Sequence, residues 1–169
     1  MTDLTAHFTA AELGADRPGV TNDVAANLLD TATWLETARS VLGVPLRITR
    51  GYSTPEENAA VGGVADSEHL SGLAADFVPV GLSKHETYQR LSAARDRGEL
   101  PLFDELIYYV ADDHLHVGLR PSFRGNVEVQ VVEGGVKRYR VLTAELAAQL
   151  WGALPEQPGL GSGRCACAR

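Results

Sequence analysis

A chain of 169 residues, 44% hydrophobic and 22% charged, suits one globular domain: it is too short for two full cores and too apolar for a disordered polymer. Its formal net charge of -7 excludes an ordinary nucleic-acid binder, because phosphate binding needs clustered Lys and Arg and no basic run occurs. Met1 to Ala10 has no basic segment leading into an apolar run, so neither a secretory signal nor membrane insertion is expected.

Along the chain, three helix starts are written as capping boxes, in which a hydroxyl accepts from the N3 amide and a Glu three residues on reaches back. They are Thr9 with Glu12, Thr54 with Glu57, and Ser83 with Glu86; Pro55 at the first helical position strengthens the second. Leu28, Leu29, Ala32, Leu35 and Leu42 recur at helical spacing and predict a long helix over Asn22 to Leu42. Leu46 and Ile48 alternate with Arg47 and Thr49 as in a strand, an extended segment follows over Leu73 to Val80, and Glu105 to Val110 is β-rich. Val127 to Val132 and Val136 to Val141 form a hairpin around Glu133-Gly134-Gly135, and a helix from Thr143 to Leu150 closes the domain. The expected fold is α+β: a small antiparallel sheet with helices packed on it, in a single domain over 1–155. Residues 156–169 read as a mobile Gly/Ser tail in which Cys165 and Cys167 are incidental, their C-x-C spacing suiting neither a zinc knuckle nor a disulfide framework.

Two polar clusters stand out. Ser67-Glu68-His69-Leu70-Ser71-Gly72-Leu73-Ala74-Ala75-Asp76 sets a His and an Asp on either side of a turn. On a strand, Asp76 shares a face with Ala74 and Val78, which would aim its carboxylate at the core side unless a bound cation compensates it. Asp112-Asp113-His114-Leu115-His116 puts two imidazoles on one strand face, either of which would complete a metal site. Two His and one carboxylate with a fourth position open are the donor set of catalytic zinc. Without further pattern, a buried, hydrogen-bonded Asp-His pair explains the same residues.

S-x-H-x-x-G-x-A-x-D over Ser67 to Asp76, followed by a strand carrying His116-Val117, resembles the zinc D-alanyl-D-alanine peptidases. That family includes VanX-like and VanY-like enzymes and the phage endolysins that cut L-alanyl-D-glutamate bonds. The resemblance extends upstream through Ile48-Thr49-Arg50-Gly51-Tyr52-Ser53-Thr54-Pro55-Glu56-Glu57-Asn58 and Val61-Gly62-Gly63, and covers about Phe8 to Leu119. It implies His69, Asp76 and His116 as zinc ligands, placed at the sheet's edge where the two ligand segments meet. It also implies Asp113, three residues before the last ligand, as catalytic base, and Ser67 as a hydrogen-bond partner of the substrate backbone.

Two departures from the family pattern are visible. The family's arginine just after the Gly-Tyr pair is replaced by Ser53. Arg50, of the same strand parity as Leu46 and Ile48, either substitutes for it in binding the substrate's terminal carboxylate or pairs at the surface with Glu56 or Glu57. Asp113 has opposite parity to His116, so it faces the metal only if the chain turns near Ala111 to His114. Asp112 is the fallback, Asp104 and Glu105 are weaker alternatives, and both Asp112 and Asp113 also suit a plain turn before a strand. The implied activity is zinc-dependent hydrolysis of peptidoglycan stem peptides, either trimming a terminal D-alanine or cutting an internal bond. The alternative is a catalytically inactive, zinc-stabilised structural or binding module with phage structural proteins or the cell wall as partners. The expected location is the cytoplasm until release to the wall, or a phage particle.

Overall fold

The structure, a computed structural model, describes residues 2–151; the tail expected over 156–169, with its two cysteines, lies outside the described residues. Six strands form one mixed sheet: β1 (Leu46–Arg50), β2 (Ala74–Pro79), β3 (Glu105–Tyr109), β4 (Leu115–Gly118), β5 (Asn126–Glu133) and β6 (Val136–Val141), in the order β1-β2-β4-β3-β5-β6. Five α-helices accompany it: α1 (Ala10–Leu13), α2 (Asn22–Leu42), α3 (Pro55–Ala60), α4 (Lys84–Asp96) and α5 (Ala144–Trp151). No described helix is long and apolar enough to cross a membrane.

The α+β class is as expected, with one difference: β5 runs parallel to β3. β4 already has β2 on one side and β3 on the other, so both of its edges are filled when the chain leaves it. The next strand takes the free edge of β3 and runs parallel to it. Two of the three capping boxes form in full, at Thr9 and Thr54. At Ser83 only half forms: the hydroxyl accepts from the Glu86 amide, while the Glu86 carboxylate turns outward to Arg90 one helical turn on, at 2.6 Å.

Strand alternation sorts the sheet into two faces. Phe77, Leu106, Leu115, Val117, Val127 and Val129 point to one side, where Leu28 and Leu35 of α2 and Tyr88 and Leu91 of α4 meet them in a continuous core. Each such large apolar side chain, fully buried, contributes about 1.5–3 kcal/mol. The residues between them point the other way: Asp76, His116, Glu105, Ile107, Tyr109, Glu128 and Gln130 all line one open groove of roughly 920 Å³. Asp76 therefore faces the groove and not the core side, because Ala75 and Phe77 occupy the core positions of β2.

Candidate metal centre

His69 sits on a 3-10 turn over Glu68–Ser71 that α2 holds from behind. Asn27 Nδ2 donates to Ser71 O at 2.8 Å, and the buried Thr31 hydroxyl donates to Gly72 O at 2.9 Å. The turn delivers the imidazole to the groove face beside Asp76 on β2 and His116 on β4, which are direct partners in the antiparallel ladder. β2 and β4 are interior strands, so the cluster lies on the face of the sheet and not at its edge.

Hydrogen bonding fixes which nitrogens face inward. The Gly51 carbonyl can only accept, so His69 carries its proton on Nδ1 and donates at 2.7 Å, leaving Nε2 free at 3.3 Å from Asp76 Oδ1. His116 turns Nδ1 to the same oxygen at 2.7 Å. All three side chains are buried, and their donor atoms lie within 4.8 Å of one another. Zinc bonds of about 2.0–2.2 Å place neighbouring donors of a tetrahedron roughly 3.3–3.5 Å apart, so the set fits after His116 Nδ1 gives up its proton and recedes slightly. Burial alone would raise the Asp76 carboxyl, but the His116 hydrogen bond and the adjoining His69 imidazole outweigh it and hold the group far below the usual carboxylate range. Burial also lowers His69. At His116 burial is overridden by the Asp76 contact and the Glu105 and Glu68 charges, which raise it.

Both imidazoles have a partner on the far side. For His69 it is Gly51 O. Gly51 must be glycine, since a Cβ there would sit 2.3 Å from Leu13 O. For His116 it is Glu105, whose Oε1 is 3.7 Å from Nε2 and which Arg124 holds at 3.1 Å. Glu68 also acts on this ring through its charge; its Oε1 pairs with Arg120 at 3.1 Å, while Oε2 has no hydrogen-bond partner among the described residues. It fits only because Gly118 has no Cβ, which would lie 2.2 Å from that oxygen. Burial, then the Glu105 charge, raise the Glu68 carboxyl.

Arg50 lines the groove and has no carboxylate partner among the described residues; its Nε donates to Ser53 Oγ at 2.8 Å and its Nη2 to Asn58 Oδ1 at 2.9 Å. The surface pairing with Glu56 or Glu57 is absent, and Glu57 binds Arg17 instead. Ser67, at the N-cap of the 3-10 turn, makes no capping bond with its side chain and lines the groove. Asp112 and His114 line it too, with His114 Nε2 3.8 Å from Asp76 Oδ2. Asp113 is exposed in the bend before β4 and is not among the groove residues. Its charge acts on Lys84, the side chain that ties the bend to α4 through the Tyr109 and Asp112 carbonyls. Asp104 is fully buried under Arg124 and Ser122, a structural pair remote from proton transfer.

Several residues around the groove were not singled out by the sequence. Asn58, buried behind Arg50, braces it and the loop above, bonding Val64 O at 2.8 Å; its place in the Pro55-to-Gly63 segment was the available clue. Glu128, Gln130, Lys137 and Tyr139 join the site only because β5 and β6 extend the sheet.

Two imidazoles and a buried carboxylate converging on an open groove, each imidazole braced from behind, form a cluster that could hold a metal ion, with the donor types of a hydrolytic metal site. Residues 3–118 match the Peptidase M15 family, and the chain belongs to that family of metallopeptidases. No curated protein matches the chain.

Proposed function

We propose that this protein is a zinc-dependent peptidase of peptidoglycan stem peptides that removes a terminal D-alanine. The reading is carried by one juxtaposition: an arginine with no carboxylate partner among the described residues, opposite the Asp76 of a His-Asp-His donor set. A cation one strand from the metal ligands suits a substrate whose carboxylate lies one residue beyond the scissile bond, which is a carboxypeptidase.

His69 Nε2, Asp76 Oδ1 and His116 Nδ1 would hold the metal, which when bound supplies a water acidified toward neutral pH and a Lewis acid for the scissile carbonyl. Arg50, held by Ser53 and Asn58, anchors the terminal carboxylate. Ser67 hydrogen-bonds the substrate backbone. Asp113 takes the proton of the attacking water and returns it to the leaving amine; its carboxylate must swing from the bend when substrate binds, as catalytic hydrogen bonds commonly tighten only in the complex. Asp112, already on the groove wall, is the alternative base.

A second reading, an inactive zinc-stabilised module of a phage particle or wall assembly, is favoured by the outward position of Asp113. Digestion of peptidoglycan and of a D-Ala-D-Ala-terminated pentapeptide, with zinc and with chelator, separates the two by mass spectrometry. Chelator-sensitive loss of one alanine supports the carboxypeptidase, and a new internal cut an endopeptidase. No change despite stoichiometric zinc supports the module.

A further inference from the structure

The groove continues far beyond the metal ligands, onto strands outside the family-matched segment 3–118. Read across the sheet, its charged strand residues fall in a fixed order: Arg50 on β1, Asp76 and His116 on β2 and β4, Glu105 on β3, Glu128 on β5 and Lys137 on β6. The other groove arginines are committed, Arg120 to Glu68 and Arg124 to Asp104 and Glu105. Arg50, Glu128 and Lys137 have no oppositely charged partner among the described residues; the Glu128 carboxylate meets only Asn126 Nδ2, at 3.0 Å.

The hairpin is braced for a constant geometry. Tyr88 Oη, from α4, donates to the Glu128 carbonyl at 2.7 Å. Gln130 and Tyr139, partners in the ladder, are joined across the groove floor at 2.7 Å, and the next pair on that face is Val132 with Lys137. Strands lie about 4.8 Å apart, so Glu128, in line with His116 through Ile107, stands roughly 10 Å from it; Lys137 pairs with Val132, further along β6 than the Val141 opposite Glu128, and stands roughly 20 Å away. A peptide crossing the strands in extended form advances about 3.3 Å per residue. Groups two to three residues on the amino side of the cut therefore come within side-chain reach of Glu128, and a carboxylate roughly four residues' length from the cut comes within reach of the extended Lys137 side chain.

We propose that the β5–β6 hairpin reads the amino-side half of the substrate, Glu128 taking an ammonium group and Lys137 a carboxylate. The preferred peptide then has the charge order carboxylate, amine, scissile bond, terminal carboxylate. This deepens the carboxypeptidase reading and rests on it for the direction of the chain, with Arg50 at the carboxyl end. A stem peptide with a free glutamate carboxylate followed by a diamino acid matches that order; one whose glutamate is amidated does not.

The test uses the zinc-loaded full chain and L-Ala-γ-D-Glu-L-Lys-D-Ala-D-Ala, together with the same peptide amidated at the glutamate α-carboxylate or acetylated at the lysine amine. Rates are read by mass spectrometry, and binding of the corresponding tetrapeptides, which lack the last alanine, by calorimetry. Wild-type protein is expected to bind the unmodified form roughly three- to tenfold more tightly than either modified form. Lys137→Ala should erase discrimination against the amide only, and Glu128→Gln discrimination against the acetyl only. Equal binding of all forms by wild-type protein, or variants that discriminate as wild-type does, overturns the inference. Hydrolysis without discrimination would do so while leaving the peptidase standing; discrimination without hydrolysis would remove the peptidase and keep the reading wall.

Discussion

Arg50 stands opposite Asp76 in the β1–β2 ladder because Thr49, between Ile48 and Arg50, is left unpaired. Leu46 and Ile48 pack with the core, and in an unbroken strand Arg50 would share their face. The irregularity shifts it by one and turns its guanidinium into the groove. A chain that kept strict alternation would instead bury an unpaired charge, which is strongly unfavourable.

From this relationship, Arg50→Gln should reduce kcat/KM about 10- to 100-fold for a peptide with a free carboxyl terminus, the range of a lost charge-assisted hydrogen bond. The same peptide with an amidated terminus should be cut at the same low rate by both proteins. An equal loss on the two peptides would show that Arg50 supports the fold near His69 and not the substrate.

Metal content is expected to separate ligands from their supports. His69→Ala, Asp76→Ala or His116→Ala should leave a folded chain with little bound zinc by elemental analysis. Glu105→Gln keeps all three ligands but removes the charge facing His116 Nε2; its zinc affinity, from chelator competition, should fall about 10- to 100-fold.

The assignment of the base turns on two adjacent aspartates. Asp113→Ala should retain zinc and lose roughly 10²- to 10⁴-fold in kcat. If Asp112→Ala shows that loss and Asp113→Ala does not, the groove-lining aspartate is the base.

Gly51→Ala tests the support of His69. The added Cβ would press on the Leu13 backbone, an overpacking that costs about 1–3 kcal/mol even where neighbours can give. A lower Tm should be accompanied by weaker zinc binding, because the Gly51 carbonyl orients the imidazole.

Asp104 should make stability depend on acid. Its hydrogen bonds to Arg124 and Ser122 outweigh burial and hold its carboxyl well below the ordinary value. The folded-state pKa is thus below the unfolded one, so the contribution is complete above about pH 4 and is lost as pH falls toward the folded value. In urea unfolding, Asp104→Asn should be less stable than wild type by about 2 kcal/mol near neutrality, and the gap should narrow steadily below pH 4. A gap independent of pH would mean that packing, not charge, accounts for it.

The local signals in the chain determined a good deal. Helix α2 spans the Asn22–Leu42 segment that its apolar spacing marked. The β5–β6 hairpin follows from period-two runs around a Gly-Gly turn, and His69, Asp76 and His116 were legible because a family pattern and ordinary ligand chemistry coincide. These features depend on residues close in sequence or on fixed donor chemistry. What faces what across the sheet was decided only by tertiary structure. Parity aimed Asp76 toward the core, but the helices cover the opposite face; it aimed Arg50 inward, but an unpaired residue re-aimed it. Asp113 fell outside the groove, and the parallel pairing of β5 on β3 brought Glu128 and Lys137 into it. Side-chain direction alternates every residue, so a one-residue shift reverses it, and only the completed sheet records where such shifts occur.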